Sequence, residues 1–155
     1  MKQFLRHTVA TVAYRAGKVL RDAPSDFAGF RPVAGVRSPV EILAHMGDLF
    51  DWALCLTQGR SEWHDAPPLP WDEEVARFFA ALESFDRALV SEASLGFPGE
   101  AIFQGPVADA LAHVGQIALL RRMAARPIRG ENYFRADIVA GRVGQEQSAP
   151  RKEFD

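Results

Sequence analysis

The sequence predicts an all-α fold, a four-helix bundle whose helices are joined by long loops. Apolar residues recur at helical spacing in four segments of about 18–20 residues. Stretches rich in proline and glycine separate these segments, and no stretch alternates polar and apolar residues as a strand does. Four amphipathic helices can bury their apolar faces against one another, which is the arrangement of a bundle.

Two helices are expected in the first part of the chain. The first is predicted over 3–20, and the loop "RDAPSDFAGFRPVAGVR" follows it. The second is predicted over 38–58 and has a strong start signal in "SPVE". Ser38 can cap the helix, proline suits its first turn, and Glu41 completes a capping box.

Two more helices and a tail are expected in the second part. The third helix is predicted over 72–92, with acidic residues in its first turn. The fourth is predicted over 106–125, opened by Pro106 in its first turn and closed before the next proline. A short helix is expected near 131–139. The bundle domain is then predicted to span 1–144, and 145–155 to form a flexible tail.

Length and composition limit the classes of protein to which this chain can belong. The 155 residues suffice for one domain, and the net charge of −2 offers no attraction to nucleic acid or to an anionic membrane. No apolar run approaches the roughly 18 residues that cross a bilayer. The single cysteine excludes an internal disulfide framework. We therefore expect a cytoplasmic protein with neither nucleic acid nor a membrane as a partner.

Two of the predicted helices carry nearly the same phrase, "EILAHMGDLF" at 41–50 and "DALAHVGQIA" at 109–118. Each phrase places three polar side chains at i, i+4 and i+7, and therefore on one helix face. These residues are Glu41, His45 and Asp48 in the first phrase, and Asp109, His113 and Gln116 in the second. Most other positions of both helices are apolar, which is typical of largely buried helices.

The two polar stripes have a purely structural interpretation. Polar residues at this spacing also form the solvent face of an ordinary helix. Glu41 is accounted for as the capping-box partner of Ser38, and Asp109 suits the positive end of the helix dipole. Gly47 and Gly115 each lie two residues after a histidine and leave room for a neighbouring helix or a ligand.

The stripes also have an interpretation as two walls of one metal site. Imidazole together with carboxylate suits zinc, nickel or iron. Asp109 and His113, one turn apart, can point at one ion, and His45 from a facing helix would supply a third ligand. Asp48 and Gln116 would then support these ligands or replace one of them. Spacing alone leaves both interpretations open.

Two further groups of side chains occupy positions from which they could line a pocket: His7, Thr11 and Tyr14 in the first helix, and Trp63, His64 and Trp71 around the second loop. A surface or packing role is the commoner one for such residues. We assign no function to either group. The sequence contains no phosphate-binding loop, dinucleotide fingerprint or nucleophile elbow.

The order of the two phrases resembles that of the DinB/YfiT-like metalloenzymes. The resemblance is carried by "SPVEILAHMGDLFDWAL", a long middle, and "DALAHVGQIALLRRM" followed by Pro127. It implies a four-helix bundle with His45, Asp109 and His113 as metal ligands. Many members have histidine at the position of Asp109. A carboxylate there resembles the subgroup that includes the mycothiol-dependent maleylpyruvate isomerases, whose middle ligand is glutamate.

The resemblance also implies an activity. We expect a metal-dependent enzyme that transfers a low-molecular-weight thiol to a small electrophilic substrate, with zinc or nickel as the metal and iron as a third option. Two alternatives stay open, a metal-dependent hydrolase and a bundle that binds a ligand without turnover. No catalytic residue is assigned beyond the ligands.

A homodimer is the last expectation from the sequence. Members of the family often pair through their helices. The first and third predicted helices carry more large apolar residues than one small core is expected to need, among them Phe78, Phe79 and Phe85. An exposed apolar patch of this kind is usually covered by a partner.

Overall fold

Helices form the regular structure of the protein, as described for residues 1–154 by a computed structural model. The long helices are α1 (Lys2–Leu20), α2 (Pro39–Thr57) and α3 (Trp71–Val90). A fourth helical segment consists of α4 (Gly99–Ile102), a π-helical turn (Phe103–Val107) and α5 (Ala108–Met123). Short 3-10 turns occur at Ser25–Phe27 and Tyr133–Arg135. The predicted all-α four-helix bundle is confirmed.

The start of α2 follows the prediction. Ser38 and Glu41 form the reciprocal capping box, in which the backbone N–H of Ser38 donates to Glu41 Oε2 at 2.7 Å. The carboxylate of Glu41 also accepts a hydrogen bond from Arg31 at 2.6 Å. Glu41 therefore belongs to the helix cap and contacts the preceding loop, which agrees with its predicted role as the capping-box partner of Ser38.

The fourth helical segment begins at Gly99, and its predicted start at Pro106 was wrong. A proline inside an α-helix removes one hydrogen-bond donor and clashes with the carbonyl four residues earlier. Here Pro106 lies within the wider π-helical turn, which accommodates it without ending the helical path. Asp109 consequently lies more than two turns from the true start of the segment, too far to owe its position to the positive end of a helix dipole.

The core is built around large aromatic side chains between α2 and α3. Phe50 packs against Phe78 and Phe85 with ring centroids 6.1 and 6.0 Å apart. Phe78, Phe79 and Phe85 are all buried within the chain itself. The expectation that they form an exposed patch was therefore wrong, because α3 turns its apolar face to α2. The homodimer stays a prediction, and these buried phenylalanines no longer support it.

The last part of the chain packs against α1. Glu131 and Glu153 form an isolated antiparallel bridge, and Lys18 of α1 lies 2.7 and 2.8 Å from their carboxylates. The short helix expected near 131–139 is only the 3-10 turn Tyr133–Arg135. The domain boundary at residue 144 and the flexibility of the tail stay predictions, and Asp155 lies outside the described residues. No helix among residues 1–154 is both long enough and apolar enough to cross a membrane.

Candidate metal centre

Three of the predicted site residues converge between α2 and α5. His45 comes from α2, and Asp109 and His113 come from α5. One ligand atom of each lies within 4.8 Å of the other two. Asp109 contacts both histidines, with Oδ2 3.5 Å from Nε2 of His45 and Oδ1 3.5 Å from Nε2 of His113. The imidazole rings meet edge to face, with centroids 4.8 Å apart.

These distances fit a metal ion. In a tetrahedral site with bonds of about 2.0–2.2 Å, neighbouring ligand atoms are roughly 3.3–3.6 Å apart. The two imidazole–carboxylate distances of 3.5 Å, one to each oxygen of Asp109, fall in this range, and they are longer than an ordinary N–H···O hydrogen bond. Two imidazoles and one carboxylate are also a donor set that zinc and neighbouring metals accept. The group His45, Asp109 and His113 can therefore hold a metal ion.

Burial differs among the three side chains and leaves one side of the group open. The side chains of His113 and His45 are 11% and 21% exposed, whereas that of Asp109 is 48% exposed. A ligand approaching from solvent would therefore arrive on the Asp109 side. A centre with three protein ligands and an open position is typical of catalytic metal sites and differs from closed structural ones.

Local helix geometry brings the ligands together. Asp109 and His113 are one turn apart and share a face of α5. The π-helical turn Phe103–Val107 ends just before this face begins. Because such a turn holds one residue more than an α-helical turn, it rotates the side chains that follow by about 100° relative to an unbroken α-helix. The turn therefore helps to determine that Asp109 and His113 face His45.

Gln116 supports the group from α5. Its side-chain oxygen Oε1 lies 2.9 Å from Nδ1 of His113. When Nδ1 donates this hydrogen bond, Nε2 of the neutral ring keeps its lone pair on the Asp109 side. Of the two residues predicted to support or replace a ligand, Gln116 therefore contacts the group directly.

Asp48 does not join the group. Its buried carboxylate accepts hydrogen bonds from the Arg77 guanidinium and, at 3.1 Å, from the backbone N–H of Ala66. Arg77 also donates to the buried Glu74 at 2.8 Å. Burial by itself lowers the pKa of Arg77, but the hydrogen bonds to Glu74 and Asp48 outweigh it and raise that pKa. Asp48 therefore belongs to an ion-pair network with Arg77 and Glu74 of α3.

The two glycines of the repeated phrase have different surroundings. A Cβ at Gly47 would lie 2.8 Å from Nη1 of Arg77, so the glycine admits the Arg77 side chain beside α2. A Cβ at Gly115 would meet nothing within 4 Å. The neighbour admitted at Gly47 is therefore a side chain of α3, and Gly115 borders open space.

Two tryptophans, Trp63 and Trp52, lie on one side of His45. The Trp63 ring lies 5.4 Å from the His45 ring and 6.0 Å from the Trp52 ring, measured between centroids. Two hydrogen bonds hold the part of this loop that follows Trp63. Asp48 accepts one from the N–H of Ala66, and Glu74 accepts the other from the N–H of Leu69. Trp63 is 40% exposed and packs edge to face against the His45 ring.

The other residues weighed from the sequence lie elsewhere. His7 and His64 are exposed, and Trp71 is buried in the core. Tyr14 donates a hydrogen bond of 2.6 Å to the buried Glu131, and burial together with this bond raises the pKa of Tyr14. The network around Arg77 was not foreseen, because nothing in the spacing of Glu74 and Arg77 distinguishes them from an ordinary ion pair on a helix surface.

Comparison of the chain with protein-family models, with curated proteins and with solved structures gives no match. The resemblance to the DinB/YfiT-like metalloenzymes therefore stays a prediction.

Proposed function

We propose that the protein is a metal-dependent enzyme of the DinB-like kind, which holds a divalent ion with His45, Asp109 and His113. Zinc and nickel suit this donor set best, and iron is a third option. The observation that carries the proposal is the convergence of the three side chains from two helices, with Asp109 facing solvent. The open side leaves room for a small molecule to reach the ion.

The reaction that we propose is the transfer of a low-molecular-weight thiol to a small electrophile. A divalent ion at this centre would supply Lewis-acid chemistry, which favours the thiolate form of a thiol that binds to it. The protein contributes binding and orientation. Gln116 orients His113, and Trp63, which also contacts Trp52, covers one side of the His45 ring. The reacting sulfur belongs to the cosubstrate, so Cys55 is dispensable.

Elemental analysis of the purified protein, with titration of Co²⁺ into the metal-free protein, tests the centre. We expect one ion per chain and a visible spectrum of four- or five-coordinate cobalt. His45→Ala and His113→Ala should each abolish this spectrum, whereas the exposed His64→Ala should preserve it. Absence of bound metal and of any cobalt spectrum would contradict the proposal and favour a bundle that binds ligands without turnover.

The thiol chemistry has its own test. Bacillithiol, mycothiol and glutathione are titrated into the cobalt protein while a sulfur-to-cobalt charge-transfer band is monitored. We expect the band with at least one thiol, unchanged in Cys55→Ala and absent in His113→Ala. A normal cobalt spectrum without this band for any thiol would contradict thiol transfer and favour metal-dependent hydrolysis.

A further inference from the structure

An apolar groove of about 390 Å³ lies between the loop after α1 and the outer face of α5. Val33 and Val36 form its loop wall, Leu119 and Met123 form its α5 wall, and Ile42 of α2 contributes between them. We call it the α5 groove. Val33, Leu119 and Met123 are 62%, 52% and 53% exposed. Three exposed apolar side chains therefore border one groove.

The α5 groove adjoins the candidate metal centre. Ile42 lies one turn before His45 on α2, and Gln116 lies one turn after His113 on α5. Gln116 lines the groove and also contacts Nδ1 of His113. The groove therefore begins one helical turn from His113, on its Nδ1 side and on the same two helices.

The direction of the helices determines which residue lies at the far end of the groove. His45 faces His113, and Trp52 lies beside Gly105, where an added Cβ would be 3.6 Å from the indole ring. The two helices are therefore antiparallel, and the start of α2 lies beside the end of α5. Arg37, which lines the groove just before α2, is thus at the end remote from His113. From Gln116 to Met123, α5 rises by about 10 Å.

Arg37 is a free cation within the part of the chain that the structure describes. It is exposed and has neither an ion-pair nor a hydrogen-bond partner among residues 1–154. The neighbouring acid Glu41 is taken by Arg31, which also donates to the carbonyl of Val36 and so braces the loop wall. A guanidinium at the end of an apolar trough is suited to bind a carboxylate in a bidentate manner.

We propose that the α5 groove binds an elongated, largely apolar carboxylic acid beside the metal centre. Its carboxylate pairs with Arg37, its apolar body lies along Leu119 and Met123, and its other end lies at Gln116, one helical turn from His113. The distance of that end from a bound ion rests on the proposed metal centre, whereas the groove and its pairing with Arg37 do not. A second copy of the chain is a less suitable occupant, because the loop wall makes the surface concave and the cation lies at one end.

Octanoate is the probe, with octanol and acetate as partial ligands that lack the carboxylate or the chain. Binding is followed by amide chemical shifts of the 15N-labelled full chain. We expect octanoate to perturb the amides of 33–37 and of the second half of α5, and to bind at least about tenfold more tightly than octanol or acetate. Arg37→Gln should weaken octanoate about tenfold and leave octanol unchanged, whereas Leu119→Asn should weaken both.

Arg135→Gln is the matched control, since Arg135 is also exposed and its side chain has no ion-pair or hydrogen-bond partner among residues 1–154. It should leave octanoate binding unchanged. With Co²⁺ at the centre, the methyl end of octanoate should relax faster than the methylene next to its carboxylate. The reverse order of relaxation would overturn the proposed orientation.

The outcomes separate this inference from the proposed function. A normal cobalt spectrum without octanoate binding, or with binding that Arg37→Gln and Leu119→Asn leave unchanged, would overturn the groove and keep the metal centre. Octanoate binding with the expected variant effects but no cobalt binding would support the groove and contradict the metal centre. A dimer that Leu119→Asn dissociates, in a protein that ignores octanoate, would assign the groove to a second copy and overturn the inference.

Discussion

The side-chain oxygen of Gln116 lies 2.9 Å from Nδ1 of His113, while Nε2 of the same ring faces Asp109 at 3.5 Å. Gln116 thus fixes the orientation of the imidazole through Nδ1, and Nε2 points toward Asp109 and the candidate metal position. Partners of this kind orient ligating histidines, and their removal typically costs about 10–100-fold in metal affinity.

Replacement of Gln116 should weaken metal binding without unfolding the protein. In Gln116→Met the hydrogen bond to His113 is lost, and we expect the Co²⁺ dissociation constant to rise about 10–100-fold. Because Gln116 is exposed, the melting temperature of the metal-free protein should hardly change. Gln104→Met, at an exposed position of the same helical segment, is the control. Equal cobalt affinities for both variants would show that Gln116 does not support the centre.

Asp48 and Asp109 should respond in opposite ways to the same Asp→Asn change. Asp48→Asn removes a buried charge partner of Arg77, so the free energy of unfolding should fall by about 1–3 kcal/mol while cobalt affinity stays within about threefold. Asp109→Asn should lose at least about tenfold in cobalt affinity with little change in stability, since its side chain is 48% exposed. Urea denaturation and cobalt titration measure the two effects. Loss of cobalt binding in Asp48→Asn would make Asp48 a ligand after all.

Gly47 and Gly115 form a second matched pair. Gly115→Ala meets nothing within 4 Å and should stabilise α5 by about 0.5–1 kcal/mol through helix propensity. Gly47→Ala gains the same helix propensity but places its Cβ 2.8 Å from Nη1 of Arg77, a side chain that Glu74 and Asp48 hold in place. The clash should outweigh the gain, so that the free energy of unfolding falls by about 1 kcal/mol in total. Thermal and urea denaturation of both variants provide the measurement. Equal stabilisation by the two substitutions would mean that Arg77 moves away freely.

The cap of α2 should make stability depend on pH in the acid range. The Arg31 guanidinium and then the Ser38 N–H lower the pKa of Glu41 from 4.5 to about 2. A carboxyl whose pKa is lowered by folding stabilises the protein fully above its unfolded pKa, and this stabilisation is lost as pH falls through the folded pKa. Glu41→Gln should therefore be less stable than the unsubstituted protein at pH 7, and the difference should shrink between pH 4.5 and about 2.

Thermal denaturation at several pH values, followed by circular dichroism, measures this dependence. Glu92→Gln is the control, since Glu92 is exposed and has no ion-pair partner among residues 1–154. A difference between Glu41→Gln and the unsubstituted protein that stays constant down to pH 2 would assign the effect to the hydrogen bonds alone and not to the charge.

Spacing along one helix was informative because the α-helical period is local. It was sufficient to place Asp109 with His113 on one face and to predict the capping box at Ser38. It was not sufficient at the third position of each stripe. Asp48 and Gln116 each follow a histidine by three residues, yet only Gln116 contacts its histidine. The Asp48 carboxylate instead accepts a hydrogen bond from Arg77 of α3, whose side chain lies against Gly47. The spacing within α2 gives no information about a side chain on another helix.

The all-α class, the start of α2 and the two stripes that contain His45, Asp109 and His113 follow from the sequence alone. Each of these depends on residues within a turn or two of one another. The packing of the folded chain was needed to show that α2 turns His45 to α5 and Asp48 to α3, and that the phenylalanines of α3 are buried. Helix pairing depends on how all the apolar faces pack together, and the periodicity of a single helix does not show which neighbour lies against it.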